Sequence, residues 1–75
     1  MQVADIMIHV NETLPDTERN ALQERLRQVD GVIAPRFSEQ KPHLLLVSYD
    51  SEVADSSRLL QQVESGGYNA QLVGM

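Results

Sequence analysis

From Val3 to Val10 the chain alternates, with Ala4, Ile6, Ile8 and Val10 on one side and Val3, Asp5, Met7 and His9 on the other. Period two with β-branched residues specifies a strand with one fully buried face. The period then changes. Leu22, Leu26 and Val29 recur at i, i+4 and i+7, with Leu14 and Glu18 further up the same stripe. That spacing specifies a helix, and Arg19, Gln23, Glu24 and Arg27 supply its solvated face. Thr13 followed by Asp16 suits the start of this helix, with Pro15 in the first turn, where a missing N–H costs nothing. Asp30-Gly31 ends it, because glycine accepts φ > 0.

The rest of the chain repeats the pattern. Val32–Phe37 reads as a second strand, and Pro35 removes a ladder donor from it, which places it at a sheet edge. Residues 39–42 form a hairpin turn, and HLLLVSY (43–49), the most apolar stretch, reads as a central strand. After a polar connection over 50–54, Asp55 is an N-cap for a second helix with Leu59, Leu60 and Val63 facing inward. Gly66-Gly67 stops that helix, and residues 68–73 form a last short strand. The order β-α-β-β-α-β, with two right-handed crossovers, makes a ferredoxin-like α+β fold. Its sheet is four-stranded and antiparallel in the order 4-1-3-2, with both helices on one face.

All 75 residues (1–75) read as a single domain, without linkers, repeats or low-complexity tracts. A chain this short buries only about 60% of the surface its unfolded form exposes. It has no cysteine, so disulfides, thiolate metal ligands and thiol nucleophiles are all excluded. Six Lys and Arg against eleven Asp and Glu give a net charge of −5, and the cations are scattered along the chain. Nucleic acid needs clustered cations, so it is not an expected partner, and neither is an anionic membrane surface. No apolar run is long enough to span a bilayer, and the N-terminus lacks the basic region of a signal peptide. The expected location is cytoplasmic.

Three pieces carry a resemblance to a known family. They are Val10 opening the first loop, Leu22 and Leu26 followed by Gly31-Val32, and GGYNAQLV over 66–73. Together they make the chain resemble a heavy-metal-associated domain, the family of copper chaperones and the N-terminal modules of metal-pumping ATPases. The family signature is Val-x-Gly-Met-x-Cys-x-x-Cys. With Val10 on its valine, the glycine falls on Glu12, the methionine on Thr13 and the two cysteines on Pro15 and Glu18. Soft thiolates hold Cu(I) or Zn(II) in that site; a proline offers no ligand, and one carboxylate is a hard donor. Metal transfer of the family type is therefore not expected at Pro15 and Glu18, and no cofactor is expected.

The histidines are the next candidates, because imidazole can replace thiolate for Zn(II), Ni(II) or Cu(II). An alternative ligand set is His9, Glu12, Glu18 and His43, which the topology brings to one edge. Strand parity opposes it. His9 points to the open sheet face and His43 toward the helices, unless His43 lies ahead of the regular strand. Glu18 in the early helix complements the N-terminal dipole, and Glu12 reads as a solvated loop residue. An enzyme is not expected, since Ser48, Ser56 and Ser57 have no evident base beside them and so small a layered fold has little room for a cleft.

The open sheet face is more informative. If Leu45, Val47 and Tyr49 face the helices, then Leu44 and Leu46 face outward beside Met7, flanked by Val3. A contiguous apolar patch on an uncovered sheet marks a contact surface. The expected role is a non-enzymatic module that binds protein through Met7, Leu44 and Leu46. Its partner is a second copy in a homodimer or another protein of metal handling or redox. One alternative is metal binding by carboxylate and imidazole. Another is small-molecule sensing of the kind carried by ACT domains, which share the fold, although the first loop has no ligand-binding glycine cluster.

Overall fold

The computed structural model describes residues 1–73. The elements are β1 (Val3–Val10), α1 (Asp16–Arg27), β2 (Val32–Phe37), β3 (Leu44–Asp50), α2 (Ser56–Glu64) and β4 (Ala70–Leu72). They form one four-stranded sheet in the order β2-β3-β1-β4, which is 4-1-3-2 read from the other edge. Every neighbouring pair is antiparallel. The fold is the ferredoxin-like βαββαβ arrangement.

Alternation along the two central strands sorts their side chains. Ile8 and Val10 of β1, and Leu45, Val47 and Tyr49 of β3, are buried in one cluster with Leu22 and Leu26 of α1 and Leu59 and Val63 of α2. Both helices therefore cover the same face. Seven of these side chains are essentially inaccessible to water. Each such burial contributes roughly 1.5–3 kcal/mol. The intervening residues of β1 and β3 lie on the face without helices.

The two helices start differently. Asp55 caps α2, its Oδ1 accepting from Arg58 N–H at 2.8 Å. At α1 the expected arrangement is not found. Pro15 occupies the cap position itself, with φ −67° and ψ 163°, and no side chain caps the helix. With ψ extended, Pro15 contributes its carbonyl to the first turn, accepting from Glu18 and Arg19 N–H at 3.0 Å each. Thr13 thus lies too far upstream to cap, and Asp16 is already helical, paired with Arg19.

α1 also ends earlier than its apolar stripe suggests, at Arg27. A turn through Val29 then leads to Gly31, whose φ of +93° is left-handed. A Cβ at Gly31 would lie 3.0 Å from Val53 Cβ and 3.2 Å from Ala54 Cβ, so both conformation and space require glycine. β2 with Pro35 is an edge strand, as its proline demands. Gln23 does not simply face solvent: its Oε1 accepts from Phe37 N–H at 2.8 Å, occupying a donor on that edge. β4 is shorter than expected, leaving Tyr68 and Asn69 in the connection from α2.

Candidate functional site

The end of the molecule that carries the first loop is held together by polar contacts. Val10 N–H donates to His43 O at 2.8 Å, and Asn11 N–H donates to Asn69 O at 2.8 Å. Glu12 does not simply face solvent. Its carboxylate accepts from Asn69 N–H and from Asn69 Nδ2, each at 3.0 Å. The backbone N–H of Asn69 holds the Glu12 carboxyl below its usual range, burial opposing this only in part. Leu14 packs against the core, and Glu18 is exposed in the first turn of α1. The loop from Asn11 to Pro15 is thus a structural connection. Pro15 and Glu18, the positions of the family's cysteines, supply no soft donor, and the residues present do not fit a Cu(I) grip of the thiolate type.

The histidines meet, against the parity expectation. β3 begins at Leu44, so His43 precedes the regular strand and its ring is free of the alternation. His43 Nδ1 lies 2.8 Å from the Val10 carbonyl oxygen, folding the ring over the end of β1. The rings of His9 and His43 stack with centroids 5.6 Å apart and an interplanar angle of 16°. His9 Nδ1 lies 3.0 Å from Asn11 Oδ1. Among the described residues no group of three or more His, Cys, Asp or Glu side chains is placed to hold a metal ion, so Glu12 and Glu18 do not join the pair.

The open face lies beside this end. Met7 pairs with Leu46, His9 with Leu44 and Asp5 with Ser48 across β1 and β3, while His9 also pairs with Gln71 of β4. Leu46 in turn pairs with Arg36 of β2. Met7, Leu44 and Leu46 are half-buried by their neighbours in the sheet, and Val3 is 59% exposed. The centre of the face is a shallow depression of about 510 Å³, with Met7, Leu46 and Ala34 in its lining and Asp5, Ser48 and Arg36 around them. Ser48 Oγ donates to Asp5 Oδ1 at 2.5 Å, orienting the carboxylate. Sequence reasoning identified the apolar members of this face but not Asp5, Ser48 and Arg36. Strand pairing is what brings those three together, and only the β1 alternation hinted at Asp5.

No protein-family model matches the sequence, and no curated protein matches it. Solved structures do match. MerP from Ralstonia metallidurans, in its oxidized form, is 12% identical with a TM-score of 0.85, over 97% of this chain and 100% of that one. The N-terminal domain of a potential copper-translocating P-type ATPase from Bacillus subtilis, in its Cu(I)-loaded state, is 20% identical with a TM-score of 0.85, over 97% and 90%. A copper-binding domain from the P-type ATPase HMA7 is 17% identical with a TM-score of 0.83, over 93% of each chain. Over 93% to 97% of its length the chain has the fold of heavy-metal-associated and copper-chaperone domains, and it has no cysteine.

Proposed function

We propose that this domain is a non-enzymatic protein-contact module that keeps the heavy-metal-associated fold without a thiolate site and binds through its open sheet face. The observation that carries the reading is the Met7–Leu46 pair, with Leu44 beside it, on a sheet face that neither helix covers. An uncovered apolar centre rimmed by polar groups is the usual form of a contact surface. Its simplest occupant is a second copy. A stable interface takes at least about 600 Å² from each partner, roughly an eighth of this chain's 4687 Å² of accessible surface. Asp5 and Arg36 lie diagonally across β3 on this face, an anion and a cation flanking the apolar centre. A two-fold axis between them sets each against its opposite in the other copy. A role in metal handling rests on the likeness of fold to copper-binding domains. Nothing in the geometry favours the small-molecule-sensing alternative.

Sedimentation equilibrium over a wide concentration range tests the reading. The wild-type chain should self-associate, and Leu46→Glu, which places a charge at the centre of the face, should be monomeric while remaining folded. A wild-type monomer throughout, or an association that Leu46→Glu leaves unchanged, contradicts it.

A further inference from the structure

The stacked histidines have a chemical state that their partners dictate. A backbone carbonyl can only accept, so the 2.8 Å contact to Val10 O puts the proton of neutral His43 on Nδ1. The Asn11 Oδ1 acceptor, 3.0 Å from His9 Nδ1, does the same for His9. Both Nε2 atoms therefore carry a free lone pair. Each ring is held by an Nδ1–H bond to an oxygen, the arrangement that orients metal-ligating imidazoles and raises their basicity. The two rings are near neighbours, and both residues are half-buried rather than sealed, so an ion in solution can reach them.

We propose that His9 and His43 form a two-imidazole site for a late first-row divalent cation, with Cu(II) the tightest-bound. This is independent of the open-face reading, and it uses neither family cysteine position. Imidazole suits Cu(II), Ni(II) and Zn(II), and for a fixed donor set Cu(II) leads that series. Among the described residues no third His, Cys, Asp or Glu side chain joins the pair, so water completes the coordination sphere. A cation bound at about 2.0–2.1 Å to both nitrogens holds them within about 4.2 Å of each other. The rings, now nearly parallel with centroids 5.6 Å apart, tilt toward each other on binding. The N–H of Val10, next to His9, bonds to the His43 carbonyl, which keeps the two residues side by side. The net charge of −5 adds a general attraction for cations.

The test uses the full chain loaded with one equivalent of CuCl2 at neutral pH. Pulsed electron paramagnetic resonance should show modulation from the remote nitrogens of two imidazoles. Titration against a competing chelator should show that His9→Ala and His43→Ala each weaken binding by at least the roughly 10–100-fold that loss of a ligand's supporting partner costs. Amide NMR first establishes that each variant is folded, since His43 ties down the end of β1. The wild-type spectrum needs no variant. Modulation from one imidazole or none, or an unchanged affinity in either folded variant, overturns the site.

Discussion

The two faces of the sheet are made by alternate residues of the same strands, yet they obey different physics. On the helix side, Ile8, Leu45 and Val47 are packed against α1 and α2 and lost to water. On the open side their neighbours Met7, Leu44 and Leu46 are shielded only by one another and by the sheet. The first set contributes to stability in the isolated chain. The second leaves part of its apolar surface in water, where a partner can still remove it. A chain of 75 residues has few apolar groups to spare, and the proposed contact rests on their placement on an uncovered face.

The largest difference between the faces should appear on truncation. Leu26→Ala, at a fully buried position, should cost about 2–5 kcal/mol, which can unfold a domain this small. Leu46→Ala on the open face should cost under about 1 kcal/mol in the monomer, since its site is already wet. Urea denaturation at low protein concentration measures both. Comparable losses would mean that the open face is part of the core.

A smaller contrast separates the helix starts. Asp55→Ala removes a side-chain cap and should cost about 1 kcal/mol, whereas Thr13→Ala, where no cap exists, should stay within about 0.5 kcal/mol. Thermal denaturation resolves the two, and equal losses would contradict the assigned start of α1.

The smallest effect concerns Glu12. Its folded pKa lies below the ordinary value of 4.5 because Asn69 donates to the carboxylate. A depressed carboxylate stabilises the fold above the unfolded pKa, and that contribution is lost as pH falls through the folded one. Stability should therefore decline from about pH 4.5 downward, and Glu12→Gln should flatten that acid limb by lowering the neutral plateau while leaving the stability at low pH nearly unchanged. Denaturation midpoints at successive pH values check the sign.

The sequence made the element order, the edge position of β2, the Asp55 cap and the faces of β1 and β3 legible, because each is written in local periodicity or a single residue's chemistry. What escaped it was contact between residues distant in the chain. Gln23 bonding Phe37 and Glu12 bonding Asn69 leave no local trace, so both side chains read as solvated. Pro15 misled through its own dihedrals: an extended ψ makes it the cap itself, two residues beyond the Thr13 cap expected. The histidine pair depended on one boundary. Counting His43 as the first residue of the strand turns it toward the helices, and starting β3 at Leu44 frees it to stack on His9.

The most direct measurement is a dilution series followed by NMR of methyl-labelled leucine and methionine. With increasing concentration, the methyl signals of Met7, Leu44 and Leu46 should shift and broaden while those of Leu22, Leu26 and Leu59 stay fixed. Uniform or absent shifts, or changes confined to the helix side, would contradict the claim that the uncovered sheet face is where this protein meets its partner.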